Sequence, residues 1–258
     1  MPDGFPSLLR SWRTRRRLSQ LELALTSGVS QRHISFLESG RAKPSRDMTL
    51  KISETLQVPL RERNAWLVAA GFAPLFRSTP LDDPQMSQVM SAVRMMLANH
   101  EPFPAVAIDR AWNVRMANAP FERMAAILGI DTTANPPNLV RLFFHPQGIR
   151  QRVTNWNAIA PLLWCRAVRE SETAGGDEMR QILAELAPLQ DTTLTASVAA
   201  DTPLLPVLPV TIAHNGLQIS LFSVISAFGT AQDVTADELH IESFFPADEA
   251  TDRLFRGL

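Results

Sequence analysis

The sequence predicts two domains of different class, an all-α five-helix unit at the N-terminus and an α+β unit with an antiparallel sheet behind it. Three observations predict this. Residues 19–38, SQLELALTSGVSQRHISFLE, read as two short capped helices joined by a tight turn. Residues 104–118 and 207–228 alternate apolar and polar side chains around turn residues, the period of a strand. Charge divides the same way. Residues 1–77 carry 13 Lys/Arg against 6 Asp/Glu and residues 78–258 carry 12 against 20, so only the front of the chain suits a polyanion. The expected division is 1–72 for the first domain, 73–85 for a proline-containing linker, and 86–258 for the second.

In the first domain Leu8, Leu9 and Trp12 give helix one its apolar face. The basic run Arg13, Arg15, Arg16, Arg17 follows, placed to approach phosphates. Ser19 is positioned to cap the second helix, with Glu22 three residues on completing a capping box. Leu21 and Ala24 form its apolar stripe, Gly28 ends it, and Val29 plugs the turn. Ser30 then caps a third helix in which Ile34 and Leu37 face inward. Gln31, Arg32 and Ser35 are left facing outward. Donor-rich side chains at the start of a helix, pointing away from the core, suit the edge of a base pair in a major groove. This is a helix-turn-helix pattern. His33 either touches DNA or bonds locally. In the loop Gly40–Pro44, Arg41 and Lys43 stand beside the third helix as phosphate clamps. Met48, Ile52 and Leu56 mark a fourth helix, and Pro59–Ala70 with Trp66 and Leu67 a fifth.

The pattern Ser19-Gln20, Leu23-Ala24, Gly28-Val29-Ser30, Ile34-Ser35, Glu38-Ser39-Gly40, Pro44-Ser45 resembles the phage repressor/Cro-type (XRE) five-helix DNA-binding domain over residues 5–70. The resemblance implies that Gln20, opening the second helix, supports the recognition helix and reaches phosphate. The expected DNA-binding set is Arg17, Gln20, Gln31, Arg32, Ser35, Arg41 and Lys43. The expected partner is double-stranded DNA, bound by a homodimer on a palindromic operator with half-sites about one helical turn apart.

In the second domain a helix over Met86–Asn99 comes first. Val106 and Ile108, a turn at Asp109-Arg110, and Trp112, Val114 and Met116 predict a β-hairpin. Asn118 then caps a helix carrying Phe121, Met124 and Leu128. Residues 138–148 are apolar and then turn. Helices are expected over Trp156–Arg169 and Met179–Leu186, separated by a break at 173–177. Residues 188–203 are polar and weakly patterned, and strands at 207–213 and 218–228 meet at His214-Asn215-Gly216, a strong hairpin signal. The segments Trp112–Asn118, Asn138–Pro146 and Asn155-Trp156, with the closing stretch Gly229–Asp248, resemble the ligand-binding domain of MmyB-like transcription regulators over roughly residues 100–250. Those regulators carry one such PAS-like domain behind an XRE headpiece, the order found in this chain. The resemblance implies a small apolar, fatty-acid-like ligand held between the sheet and its helices.

A PAS-like sheet has a concave face under helices, and Trp112, Met116, Phe121, Met124, Phe143, Phe144, Trp156, Trp164, Phe222 and Phe228 are the side chains that would line it. Arg115, which interrupts the apolar run the family carries after its first tryptophan, and Arg152 are available to pair with a ligand carboxylate. The alternative is a second domain that only dimerises or docks a partner, with no ligand. Catalysis is not expected. The five histidines are scattered, and HExxH, GxSxG, P-loop and dinucleotide fingerprints are all missing, so no metal and no cofactor are anticipated. Cys165, the single cysteine, lies in the apolar run LLWCRAV and reads as a small buried side chain. With no 18-residue apolar run and no apolar core of signal-peptide length at the N-terminus, the cytoplasm is the expected compartment and no membrane partner is expected.

Overall fold

The computed structural model describes residues 4–130, 132, 136–172, 176–190 and 207–257. The expected break at 173–177 and the weakly patterned stretch 188–203 lie largely outside these residues. The chain divides into two compact units. One comprises residues up to 79 together with 231–237, the other residues 80–230 together with 238–258.

The first unit contains α1 (Phe5–Arg15), α2 (Gln20–Ser27), α3 (Gln31–Glu38), α4 (Arg46–Thr55) and α5 (Leu60–Ala69). Helices α2, α3 and α4 start where a serine side chain satisfies a free N–H group. Ser19 accepts from the Glu22 amide at 3.1 Å while Glu22 accepts from the Ser19 amide at 2.7 Å, the full capping box. Ser30 accepts from the His33 amide at 3.3 Å and Ser45 from the Met48 amide at 3.2 Å. Gly28 closes α2 in the left-handed region at φ 64°, so the chain turns sharply into α3. Leu9, Leu23, Ile34, Leu37, Ile52 and Trp66 are fully buried at the centre. Leu21 is not part of this core. It is 51% exposed, because the inward stripe of α2 is Leu23, Ala24 and Ser27, and Leu21 lies about 200° round the helix from Leu23.

The expected linker 73–85 is split. Its first part is fastened within this unit, where the Asn64 amide group accepts from Leu75 and Phe76 amides and donates to the Phe76 carbonyl at 2.7 Å. Residues 231–237, which include the short helix Val234–Asp237, complete the unit. Pro59 has no side chain to cap α5, and the Asp237 carboxylate accepts from the Leu60 amide instead, at 3.1 Å. Asp233 accepts from the Thr79 amide and hydroxyl, and the Val234 amide donates to the Arg77 carbonyl at 2.7 Å.

The second unit is built on a five-stranded antiparallel sheet of β1 (Ala105–Ile108), β2 (Val114–Ala117), β3 (Val210–His214), β4 (Leu217–Ala227) and β5 (His240–Pro246), in the order β2-β1-β5-β4-β3. Its helices are α6 (Ser87–Asn99), α7 (Ala119–Ile127), α8 (Leu139–Phe144), α9 (Trp156–Ser171), α10 (Asp177–Leu186) and α12 (Glu249–Gly257); in chain order Val234–Asp237 is α11. The β3–β4 hairpin turns on Asn215 at φ 49° and Gly216 at φ 80°, the two positive values a type I′ turn requires. Neither β5 nor α12 was anticipated from sequence, although β5 is the centre of the sheet. The face bearing Val106, Ile108, Ile212, Ile219 and Leu221 shares one core with α7, α8, α9 and α10.

Asn118 fixes the junction of β2 and α7. Its buried carbonyl accepts from the Phe121 and Ala105 amides at 3.1 and 2.9 Å, and its amide nitrogen donates to the Phe103 and Leu97 carbonyls at 2.8 and 3.2 Å. One side chain thus caps a helix and pins the start of a central strand. Asn118→Ala removes the cap and leaves buried partners unpaired, so denaturant unfolding should report a loss of about 2–4 kcal/mol from the second unit.

Candidate nucleic-acid interface and ligand cavity

In the first unit the helix-turn-helix is held by one buried carboxylate. Glu38, at the end of α3, is 4% exposed. Arg13 of α1 grips both its oxygens, Nε to Oε1 at 2.6 Å and Nη2 to Oε2 at 3.1 Å, and Gln20 of α2 donates to Oε2 at 2.8 Å. Arg10 stands 3.9 Å away. Burial works to raise the Glu38 pKa, but the hydrogen bonds from Arg13 and Gln20 and the charges of Arg13 and Arg10 outweigh it. The carboxyl titrates below its ordinary range and stays ionised, tying three helices together behind the recognition helix.

That arrangement leaves Gln31 and Arg32 exposed at the start of α3, with Ser35 half-buried beside them. The Arg32 guanidinium lies 5.3 Å from the Phe36 ring centroid, steadied by a cation–π contact. Arg41 and Lys43 are exposed in the following loop, as is Arg17 at the turn before α2, at φ 55°. The basic run does not act as one surface. Arg13 is spent on Glu38, and Arg16 donates to the carbonyls of Leu56 and Gln57, both at 2.8 Å. Gln20 is half-buried with one amide N–H committed to Glu38, and His33 is half-buried.

In the second unit a cavity of about 210 Å³ lies against the sheet and α7, α8 and α9. Of the residues expected to line it, Trp112, Phe121, Met124, Phe143, Phe144 and Phe222 border it, the last with its ring on the other face of the sheet. Trp156 and Trp164 stand behind the wall. Trp156 stacks on Phe143 at 5.2 Å and Trp164 meets Phe144 edge-on at 5.1 Å. Met116 and Phe228 do not reach the cavity. A bulge at Arg115 breaks the register of β1 and β2, so that Val114 opposes Ile108 but Met116 opposes Ala107 and points to the other face. Phe228 lies beyond the end of β4 and in the wrong alternation set. The same alternation turns the Phe222 ring away, to stack on Phe245 at 5.6 Å. The cavity face of β4 carries Leu221 and Ser223 instead, and aliphatic residues such as Leu128, Ile159, Leu163 and Ile212 complete the wall.

Trp112 is not in a strand. It occupies the turn between β1 and β2 at φ 64°, a costly conformation for a bulky residue that its surroundings hold in place. The Asp109 carboxylate accepts from the Ala111 and Asn113 amides at 2.8 and 3.1 Å, and Asn138 donates to the Ala111 carbonyl at 2.7 Å. The indole N–H donates to Glu170, and the Arg166 guanidinium sits 4.3 Å from the ring. Arg115 is paired with Asp109 and is not available to a ligand. Arg152 does not border the cavity, although its Nη1 is buried without a hydrogen-bond partner. Cys165 is exposed rather than buried, because it lies about 200° round α9 from both Leu163 and Ala167, which face inward.

Sequence reasoning missed the two polar groups of the wall, Ser223 and Glu242. Glu242, in the middle of β5, is 7% exposed, and its Oε2 has no hydrogen-bond partner. Burial drives its pKa up, countered by a hydrogen bond from the Ser223 hydroxyl and by the charge of Arg166, while Glu170 adds to the rise. With no cation in contact, the carboxyl is held toward its neutral form. A glutamate at the core-facing position interrupts the apolar alternation of β5, so the sequence carried no local signal for the strand or the residue.

Comparison with known proteins follows the same division. Residues 89–258 match the MmyB-like transcription regulator ligand binding domain, and residues 9–63 match a helix-turn-helix family. The chain belongs to the MmyB-like transcription regulators, and is a DNA-binding regulator with a ligand-binding domain. No curated protein matches it. Among solved structures, an RNA-binding light-oxygen-voltage receptor is 11% identical with a TM-score of 0.25, over 96% of this chain and 60% of that one. The chain therefore spans about three-fifths of that structure's length.

Two measurements check the paired carboxylates. Arg13→Ala leaves the buried Glu38 carboxylate with only the Gln20 amide and the more distant Arg10, and thermal or urea unfolding should show the first unit less stable by up to about 3–5 kcal/mol. Glu242 behaves oppositely. Its folded pKa is raised, so its contribution is fully present below the unfolded value near 4.5 and is lost as pH rises toward the folded pKa. Melting curves of Glu242→Gln should therefore gain on the native chain as pH rises above about 4.5 and converge with it below about pH 4.

Proposed function

We propose that this regulator binds a palindromic operator as a homodimer and is controlled by a small apolar, fatty-acid-like ligand held in the cavity of a PAS-like second domain. Gln31, Arg32 and Ser35 read base edges, while Arg17, Gln20, Arg41 and Lys43 hold phosphates. The observation that carries the DNA reading is the Glu38 clamp, which presents the start of α3 outward with its donors unshielded. A single recognition helix of eight residues spans few base pairs, which favours a two-fold pair of headpieces. Gln20 keeps a second amide N–H for phosphate while the first bonds Glu38.

The cavity supports a sensor over a module that only docks, since a docking domain has no use for an unfilled apolar space in its core. The chain path supports a coupling route. Residues 231–237 belong to the helical unit, and the strands on either side of them, β4 and β5, both border the cavity. A ligand that prefers one setting of those strands biases the segment that caps α5. No helix among the described residues is long and apolar enough to cross a membrane, and with duplex DNA as partner we place the protein in the cytoplasm.

The test begins with selection of an operator from random duplexes by the full chain. Arg32→Ala should then cost about 1–3 kcal/mol on that operator and relax one base position. Lys43→Ala should weaken all sequences alike and lower the slope of log affinity against log salt by about one unit. An Arg32→Ala protein with unaltered sequence preference would remove the base-reading role. Mass spectrometry of small molecules carried through purification addresses the ligand.

A further inference from the structure

Strand β4 is longer than its neighbour on the outer side. β3 pairs with it only between Leu217 and Leu221, while β5 pairs with it from Leu221 to Ala227. β3 begins at Val210, and Pro209 before it has no N–H with which to extend the ladder. Among the described residues, the β3 side of 223–227 therefore has no strand beside it. Four of those five residues, Ser223, Val224, Ile225 and Ala227, are exposed, although their side chains alternate between the two faces of the sheet. Val224 is 48% and Ile225 39% exposed. Such an edge presents a row of free N–H and C=O groups, and proteins that keep an edge single guard it with charge, proline or a bulge. This edge has none of them. Residues 202–232 contain no Lys, Arg, Asp or Glu, β4 contains no proline, and its pairing with β5 keeps one register over 221–227.

We infer that residues 223–227 of β4 pair antiparallel with the same residues of a second copy of the chain, and that this edge is the dimer contact of the second unit. This rests on the homodimer reading and names its interface. Charge selects the occupant. Residues 78–258, which include the whole second unit, carry 12 Lys/Arg against 20 Asp/Glu, so two copies repel over most of that surface. The uncharged strip is where they meet without like charges opposed. Symmetry selects the same occupant, because two identical strands paired antiparallel are related by a two-fold axis, which closes a dimer. The free run also fixes the register. Its midpoint places Ile225 opposite Ile225 of the second copy, and Val224 opposite Ser226 of the second copy. Apolar side chains then cover both faces of the join, Ile225 on the face of Leu221 and Val224 on the face of Phe222. Ser223, at one end of the strip, also borders the cavity, so the dimer contact and the ligand site share a residue.

Analytical ultracentrifugation of the full chain without DNA tests this. The native chain should be a dimer at about 100 µM, and Val224→Lys should raise its dissociation constant about tenfold or more with an unchanged circular dichroism spectrum, because the site is exposed in the single chain. Met95→Lys, which charges the exposed apolar side of α6, should change that constant less than about twofold. Cysteine cross-linking reads the register. In a Cys165→Ser background treated with copper phenanthroline, Ile225→Cys should form a disulfide-linked dimer, because directly opposed residues bring their Cα atoms to about 4.5–5.5 Å. Val224→Cys should not link, since its two copies lie about 7–8 Å apart on the diagonal. A dimer insensitive to Val224→Lys overturns the strip and leaves the homodimer reading intact, and its loss in Met95→Lys would move the contact to α6. Linkage of Val224→Cys in preference to Ile225→Cys overturns the pairing. A native chain that stays monomeric at about 100 µM overturns the strip as well, and the number of copies on the selected operator then judges the homodimer reading by itself.

Discussion

A carboxylate removed from water must find a cation or take up a proton, and the two units of this chain resolve that constraint in opposite ways. Glu38 is met by the Arg13 fork and the Gln20 amide and remains charged. Its negative charge ties α1 and α2 to the end of α3, so the orientation of the recognition helix depends on an ion pair whose carboxylate is buried. Glu242 is met by one hydroxyl and no contacting cation, and it is held toward neutrality with an oxygen left over. The first carboxyl is structural because its bonds are complete. The second keeps one buried oxygen without a partner.

The same contrast separates rigid from adjustable parts. In the helical unit four of the five helix starts have a side-chain cap, α2 by a full capping box, α3 and α4 by Ser30 and Ser45, and α5 by Asp237 from a distant part of the sequence. In the second unit the stress gathers round the cavity. Trp112 is held at positive φ by Asp109 and Asn138, and Glu242 carries an unmet oxygen. Strained backbone and unsatisfied polar groups recur where a protein does its work, since the surrounding fold must over-determine them.

The chain passes between the two units within the β4–β5 connection. β4 and β5 are the longest-paired strands of the sheet, and the residues that join them are part of the helical unit. That connection carries Asp233 and Asp237, which hold Thr79 and the start of α5. On the proposed sensor reading, only a ligand with different affinity for two settings of these strands shifts the population between them.

The sequence by itself determined what is local. Ser19, Glu22, Gly28 and Ser30 announce the helix-turn-helix, Asn118 announces the start of α7, and Asn215-Gly216 the β3–β4 turn, because caps and turns are decided by a few neighbouring residues. The aromatic side of the cavity was legible in part for the same reason, since Phe121 and Met124 follow helical spacing. Tertiary structure decided the rest. The bulge at Arg115 reversed the face of Met116, and the alternation set of β4 that lines the cavity was the one opposite Phe222. β5 went unread because a glutamate at a core-facing position breaks the apolar alternation that marks a strand. A charge-bearing residue in a sheet centre is explained only by the non-local space it faces, and no local pattern encodes that space.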